Sequence, residues 1–211
     1  MSAARTAVLI SGRGSNMMAL VEAARAPDFP AEIALVLADR GDAAGLALAK
    51  AAGIATAAVD RKIFATRDAF EQSMQAMLDI HRIDLICLAG FMRVLSGPFV
   101  ARWRGRMINI HPSLLPAFRG LDTHARALAA GVPTHGCTVH FVVAKLDAGP
   151  IIAQASVPVL PGDTAETLAA RVLAEEHRLY PAALALVASG RASIDTAPAV
   201  EAPLLEARAS R

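Results

Sequence analysis

The sequence predicts an α/β fold, a doubly wound and mostly parallel sheet with an antiparallel C-terminal extension. Over about the first hundred residues, short apolar runs alternate with segments of helical periodicity. Later, two apolar runs flank a short Gly/Pro turn at residues 145–150, which is typical of an antiparallel hairpin. The hydrophobic fraction is 55% and the aromatic fraction only 4%. Ala, Val, Leu and Ile therefore form the core, as in parallel sheets covered by helices.

In the first half of the chain, strands and helices are expected to alternate. Each expected strand is a short apolar run, and each expected helix carries apolar residues three or four positions apart. The strands are expected at residues 6–10, 33–38, 54–59 and 85–89. The helices are expected after residue 16, at residues 43–52 and at residues 66–81. Ser15 or Asn16 is expected to cap the first of these helices.

The second half is expected to begin with a strand that ends at Pro112, because proline cannot donate to a strand ladder. Further strands are expected at residues 135–143 and 151–159, and helices at residues 122–130 and 164–188. From Gly190 onward, Ala, Pro, Ser and charged residues dominate the sequence. We therefore expect a short strand there, followed by a loose tail.

Composition and charge argue against several classes of protein. The net charge is +2 and the basic residues are scattered, so no nucleic-acid partner is expected. Cys87 and Cys137 lie far apart inside apolar runs, which favours buried, reduced thiols over a disulfide or a metal site. The sequence shows no signal-peptide pattern and no run of about 18 apolar residues. We therefore expect a cytoplasmic protein with no membrane partner.

The strand that ends at Pro112 carries two polar side chains, Asn109 and His111. They are two residues apart, so both project from the same face of the strand. The carboxyl end of a strand is where open α/β sheets place their ligands. An amide donor beside an imidazole is able to stabilise an oxyanion and to move a proton. Taken alone, a histidine here is more often a core residue bonded to a backbone carbonyl.

A glycine-rich turn, S-G-R-G-S-N at residues 11–16, connects the first strand to the first helix. Its glycines allow backbone N–H groups to face an anion at the positive end of the helix. The turn is neither G-x-G-x-x-G nor a Walker A loop, which argues against a dinucleotide or a nucleoside triphosphate. The pattern leaves room for a single phosphate, although many strand–helix turns carry two glycines.

Two further segments are candidates for the site. Asp147 lies in L-D-A-G-P and is either a functional carboxylate or an ordinary turn residue ahead of glycine. The segment G-F-M-R-V-L-S, residues 90–96, follows a central strand and either forms a ligand wall or packs the next helix. Taken alone, Asp147 is better explained as a turn residue, and the apolar residues of 90–96 more often pack the next helix.

The remaining histidines do not suggest a metal site. His124 and His135 are expected at the surface, and His140 lies on a strand, where it either supports the site or faces the core. The sequence has no H-x-x-x-H, C-x-x-C or H-E-x-x-H spacing, so no metal is expected. It also lacks the G-x-S-x-G motif, which disfavours a serine hydrolase.

Four motifs occur in an order and spacing that resemble the phosphoribosylglycinamide formyltransferase family, the folate-dependent enzymes of purine synthesis. The motifs are V-L-I-S-G-R-G-S-N, L-A-G-F-M-R-V-L-S, N-I-H-P-S-L-L-P and V-H-F-V-x-x-x-L-D-A-G-P-I-I-A-Q. The similarity extends over residues 8–181, nearly the whole chain. It implies a Rossmann-like formyltransferase fold.

The resemblance also implies roles for individual residues. It implies a catalytic set made of Asn109, His111 and Asp147. It implies a substrate phosphate site formed by Gly14, Ser15 and Asn16, and a contact of Glu176 with the glycinamide. It implies folate contacts by Arg67, Met92, Arg93, Val94 and Leu95. Arg119 stands where relatives often carry proline, and we expect its side chain to face solvent rather than the folate tail.

The implied reaction is formyl transfer from 10-formyltetrahydrofolate, as co-substrate, to the amine of glycinamide ribonucleotide, without a metal. The implied domain covers residues 1–189. Residues 1–100 form its phosphate-binding half and residues 101–189 its catalytic and folate half, with a tail at residues 190–211. The sequence leaves open whether the protein is a monomer or a homodimer.

Three alternative functions compete with formyl transfer. Formyltetrahydrofolate deformylase is similar but has a regulatory domain ahead of this region and a second histidine at the position of Pro112. Methionyl-tRNA formyltransferase needs an additional C-terminal RNA-binding domain, which the Ala-rich tail cannot supply. A catalytically silent binding module has no need for Asn109, His111 and Asp147 together. The deformylase is therefore the second choice.

Overall fold

The computed structural model describes residues 3–196 and contains one seven-stranded sheet with helices on both faces. The strands are Ala4–Ile10 (β1), Ala31–Ala38 (β2), Thr56–Ala58 (β3), Leu85–Leu88 (β4), Met107–His111 (β5), Thr134–Phe141 (β6) and Ile151–Pro158 (β7). The helices are Ser15–Ala23 (α1), Ala44–Ala51 (α2), Arg67–Ile80 (α3), Gly97–Arg102 (α4), Thr123–Ala129 (α5) and Ala165–Ala188 (α6).

The strand order is β3-β2-β1-β4-β5-β6-β7. The first five strands pair in parallel, whereas β6 pairs antiparallel with both β5 and β7. The predicted doubly wound sheet with an antiparallel C-terminal extension is therefore confirmed. After β3 the chain returns to the other side of β1 to form β4. This reversal opens a crevice at the carboxyl ends of β1 and β4, where such sheets bind ligands.

The central strand β1 is apolar throughout because both of its faces are covered. Val8 and Ile10 pack in a cluster with α1 and α6, while Ala7 and Leu9 pack on the opposite face with α3 and α4. This alternation follows from the two-residue period of a strand. Parallel sheets buried on both faces read as continuous apolar runs, as seen here.

Three local expectations need correction. β3 is shorter than residues 54–59, because it is an edge strand that pairs only with β2 over three residues. The helix α4 was not predicted, although Ser96 caps it by accepting from Phe99 N–H and a proline lies in its first turn. Within residues 191–196, where the expected short strand could begin, the chain forms bends and turns. The rest of the expected tail lies outside the described residues.

The long helix α6 is joined to the sheet below the crevice by a buried tyrosine. The Tyr180 hydroxyl lies 3.0 Å from the carbonyl oxygen of Leu88 and 3.2 Å from that of Ile108. These carbonyls belong to the neighbouring strands β4 and β5. The contact therefore fixes α6 relative to the two strands that end at the site. Within residues 3–196, no helix is long and apolar enough to cross a membrane.

Candidate active site

A cleft of about 1010 Å³ lies at the carboxyl ends of the parallel strands. Its walls come from the turn before α1, residues 90–95, the end of β5, the loop after β6 and the inner face of α6. All the residues proposed for catalysis line it, namely Asn109, His111 and Asp147. Segments distant in sequence thus converge on one cavity, as is typical of a small-molecule site.

His111 lies at the end of β5 between two hydrogen-bond acceptors. Its Nε2 atom is 3.0 Å from the carbonyl oxygen of Phe118, and its Nδ1 atom is 3.5 Å from Asp147 Oδ2. The side chain is buried. Only a ring protonated on both nitrogens is able to donate in both directions. The 3.5 Å distance is longer than a direct charge-assisted bond, so a ring protonated on both nitrogens would have its Nδ1 proton available to a substrate oxygen.

Asp147 reaches His111 because the turn after β6 folds back over the sheet. Its backbone adopts a left-handed conformation with φ of 46°. Asp147 Oδ2 accepts a hydrogen bond of 2.9 Å from Gly120 N–H. Gly149, two residues later, approaches β6 so closely that an added Cβ would lie 1.7 Å from the carbonyl oxygen of Phe141. Asp147 is therefore a buried carboxylate in a tightly built turn rather than an ordinary exposed turn residue.

His140 supports the site, a role that the sequence left undecided. It lies directly opposite Asn109 in the β5–β6 ladder, so the two side chains share a face. Its Nδ1–H donates to the carbonyl oxygen of Phe141 (2.9 Å), which leaves Nε2 to accept from Asn109 Nδ2 (3.2 Å). Burial lowers the pKa of His140, against the raising effects of that carbonyl and of Asp147. A neutral His140 thus orients the Asn109 amide.

The glycine-rich turn presents the start of α1 to the cleft. The helix cap is Gly14, in a left-handed conformation with φ of 78°, and no side chain caps the helix. The expectation that Ser15 or Asn16 provides the cap is therefore wrong. A Cβ on Gly14 would lie 3.0 Å from Gly45 Cα. This position therefore needs glycine both for its positive φ and for this close approach. The first N–H groups of α1 lack a side-chain acceptor, as expected where an anion binds.

Asn16 and Glu176 connect this turn to α6. Asn16 Nδ2 donates a 2.6 Å hydrogen bond to Glu176 Oε2. Burial raises the pKa of Glu176, while the bond from Asn16 opposes that rise. Asn16 Oδ1 is buried without a hydrogen-bond partner among the described residues. The pair therefore offers a ligand one free amide oxygen and one carboxylate inside the cleft.

The segment 90–95 forms the opposite wall. Met92, Val94 and Leu95 all line the cleft. Met92 and Val94 are 68% and 67% exposed, whereas most of Leu95 is buried in the cluster that includes α3. Leu121 and Leu146, which the sequence did not single out, are also exposed apolar residues at the cleft. Exposed apolar side chains gathered at one opening suit a flat ring system.

Two arginines predicted at or near the folate site do not line the cleft. Arg67 is exposed at the first position of α3 and is absent from the cleft walls. Arg119 is exposed, as expected, and its Nε atom donates a 2.9 Å hydrogen bond to the backbone carbonyl of Asp147. Arg119 therefore supports the Asp147 turn.

His135 is buried, so its expected surface position is wrong. Its ring packs edge-on against Phe118 and His124, with centroid distances of 5.9 and 5.2 Å. Burial lowers its pKa to about 4, although a hydrogen bond to the Pro112 carbonyl opposes this. Among residues 3–196, no group of three or more His, Cys, Asp or Glu side chains is arranged to hold a metal ion.

The amino-acid sequence of this chain is similar to those of known proteins. The chain is 44% identical to phosphoribosylglycinamide formyltransferase of Escherichia coli over 184 residues, which is 87% of each chain. It is 52% identical over 187 residues to the human trifunctional purine biosynthetic protein adenosine-3, covering 89% of this chain but only 18% of that protein.

Solved structures agree with these sequence matches. The fold matches the crystal structure of phosphoribosylglycinamide formyltransferase from Brucella melitensis with a TM-score of 0.86 and 60% identity. That match covers 90% of this chain and 97% of the other. The sequence model of the formyl transferase family matches residues 4–184. The chain belongs to the formyl transferase family.

Proposed function

We propose that this protein transfers the formyl group from 10-formyltetrahydrofolate to the amine of glycinamide ribonucleotide, a step of purine synthesis. The observation that carries the proposal is the arrangement of Asn109, His111 and Asp147 on one wall of the cleft that also holds the glycine-rich turn. The chain spans 18% of the human trifunctional relative and 87% of the Escherichia coli formyltransferase. In this proposal residues 1–189 form one domain, and the protein acts in the cytoplasm.

The reaction begins when the substrate amine attacks the formyl carbon. The carbonyl oxygen becomes an oxyanion in a tetrahedral intermediate. One N–H of Asn109 is held by His140, so the second N–H of the same amide is free to donate to this oxygen. The Nδ1–H of His111 lies beside the Asp147 carboxylate and supplies a second donor. Removing one oxyanion donor typically raises the barrier by about 3–4 kcal/mol.

Proton transfer completes the exchange. The attacking nitrogen carries an extra proton, which Asp147 accepts directly or through a water molecule. When the intermediate collapses, the bond between the formyl carbon and folate N10 breaks. N10 takes up the proton, so the products are the formylated amide and tetrahydrofolate. Formyl is already an activated acyl group, and the residues of the site account for each proton.

The other walls of the cleft suit the remaining parts of the two substrates. The uncapped start of α1 at Gly14, Ser15 and Asn16 suits a single phosphate. Glu176 accepts a hydrogen bond from Asn16 and lines the same cleft as the catalytic residues, so it suits the glycinamide portion. In the same proposal the folate is bound by Met92, Arg93, Val94 and Leu95, with Arg67 outside the cleft as a contact for its distal end.

The test mixes purified protein with formyl-folate, with and without glycinamide ribonucleotide. Folate release that depends on the ribonucleotide supports formyl transfer. Release at the same rate without it would favour the deformylase activity instead. In the variant His111→Asn we expect kcat to fall by at least about 10²-fold while the KM values change little, because the donor acts mainly in the transition state. An unchanged kcat would remove His111 from the mechanism.

A further inference from the structure

A buried carboxylate that the mechanism does not use lies beneath the segment 90–95. Asp39 directly follows β2, and only 1% of the residue is exposed. Its Oδ2 atom accepts a hydrogen bond from Arg93 Nε, and its Oδ1 atom is buried without a partner among the described residues. Burying a carboxylate is costly unless a partner compensates the charge. Arg93 provides that compensation.

This contact leaves part of the Arg93 guanidinium available. Asp39 engages only the Nε atom, and within residues 3–196 no protein acceptor bonds to either Nη atom. Arg93 lines the cleft, and 41% of its side chain is exposed. A guanidinium fixed at Nε presents its two Nη groups as a planar fork, which matches the two oxygens of a carboxylate.

The backbone around Arg93 is also held in place. Met92 N–H donates a 2.8 Å hydrogen bond to Ser11 Oγ. Ser96 N–H donates to the buried carboxylate of Glu71 at 2.7 Å, and the Ser96 hydroxyl donates to the same carboxylate. The loop is therefore fixed on both sides of Arg93, and Asp39 fixes the side chain between them.

We propose that Asp39 is a positioning residue that aims the Arg93 guanidinium at a carboxylate of the glutamate portion of the folate co-substrate. This inference rests on the proposed function. The pterin and benzoyl portions of formyl-folate carry no net negative charge, so its glutamate carboxylates are the groups that a cation recognises. An unrestrained arginine loses side-chain conformational entropy when it binds a ligand. Because Asp39 already holds Arg93 in place, less entropy is lost on binding.

The experiment compares two co-substrates in steady-state kinetics at saturating glycinamide ribonucleotide, one formylated folate with its glutamate and one formylated pteroate without it. In Asp39→Ala we expect KM for the glutamate form to rise about tenfold and kcat to stay within about twofold. KM for the pteroate form should change by less than about twofold, because no carboxylate is present to be aimed at.

Three further variants separate positioning from general damage. Asp39→Asn keeps an acceptor oxygen for Arg93 Nε, so its KM should stay within about threefold of wild type. Asp42→Ala is the matched control, because it removes an exposed carboxylate paired with Arg40 on the same segment, and it should leave KM unchanged. The double variant Asp39→Ala/Arg93→Ala should be no worse than Arg93→Ala alone.

Several outcomes would overturn the inference. They are an unchanged KM in Asp39→Ala, equal increases for both co-substrates, and additive effects of Asp39→Ala and Arg93→Ala. If Asp39→Ala does not fold, Asp39→Leu supplies the same test, because leucine has a similar size but no acceptor for Arg93 Nε, so KM should rise for the glutamate form alone. A wild-type protein that fails to formylate glycinamide ribonucleotide would refute the proposed function. Active wild type with an insensitive Asp39 would refute only this inference.

Discussion

Replacing His135 by asparagine should make the protein less sensitive to acid. His135 is 1% exposed, and the Pro112 carbonyl opposes the lowering of its pKa by burial. Its Nε2 atom is buried without a hydrogen-bond partner among the described residues. Protonating the ring in the folded state would therefore place a charge and an unsatisfied N–H inside the core.

The sign and size of the effect follow from the lowered pKa. The unfolded chain takes up a proton on this histidine below its ordinary pKa of 6.5, whereas the folded ring does so only near pH 4. The unfolded state thus binds more protons in this window, and the free energy of unfolding falls as the pH is lowered. A pKa lowered from 6.5 to about 4 corresponds to a loss of at most about 3 kcal/mol between these pH values.

The assay is urea unfolding at intervals between pH 4 and pH 8, followed by fluorescence of Trp103, the single and buried tryptophan. His135→Asn keeps an amide donor for the Pro112 carbonyl but does not titrate. We expect wild type to lose up to about 3 kcal/mol more than this variant on acidification. Parallel pH curves for the two proteins would refute the reasoning.

A matched control distinguishes titration from lost packing. Val157 pairs with His135 across the β6–β7 ladder and is buried. Val157→Ala should lower the free energy of unfolding by roughly 1–2 kcal/mol at every pH, because the removed methyl groups do not titrate. A pH-dependent difference in this control would assign the acid effect to the hairpin as a whole rather than to His135.

Three other variants test how the fold supports the site. Gly149→Ala should lower the free energy of unfolding by at least about 2 kcal/mol and reduce kcat, because its Cβ would overlap the Phe141 carbonyl and displace the turn that carries Asp147. Tyr180→Phe should lower the urea midpoint by the equivalent of about 1 kcal/mol without changing the slope, since one buried hydroxyl donor is lost. His140→Leu should reduce kcat by about 10²-fold with little change in folate KM, because Asn109 loses its partner.

For each of these variants, a control or a contradicting result tests the stated reason. Gly97→Ala is the control for Gly149→Ala, because nothing lies within 4 Å of its added Cβ, and it should be nearly neutral. A Tyr180→Phe midpoint equal to that of wild type would show that the hydroxyl bonds contribute no net stability. A His140→Leu variant with full kcat would show that Asn109 needs no support from β6.

Much of the fold could be predicted because it depends on local pattern. Continuous apolar runs identified β1, β2 and β4, and the turn at residues 145–150 identified the hairpin of β6 and β7. The short edge strand β3 was overestimated, because its apolar run extends beyond the three residues that pair with β2. The helix α4 was missed since six residues are too few to show a clear helical period.

The support of the site could not be predicted, because it depends on register and burial. The partnership of His140 with Asn109 requires knowing that these residues face each other across two antiparallel strands 31 positions apart. The burial of His135 comes from packing against Phe118 and His124, which no period in the sequence reveals. Asp39 belongs to no motif in the sequence, and its contact with Arg93 is what distinguishes it.

The proposed chemistry depends on the change from parallel to antiparallel pairing at β5. If the strand beside β5 were also parallel, a crossover helix would have to connect the two strands. The chain would then run along both strands in the same direction and would leave both at the same end of the sheet, with no segment running back beside β5. Because β6 instead runs antiparallel, it sets His140 opposite Asn109, and the tight turn at Gly149 brings Asp147 within 3.5 Å of His111. The antiparallel extension is therefore the element that assembles the proposed catalytic set, and disrupting its turn should impair the reaction more than weakening the edge strand β3.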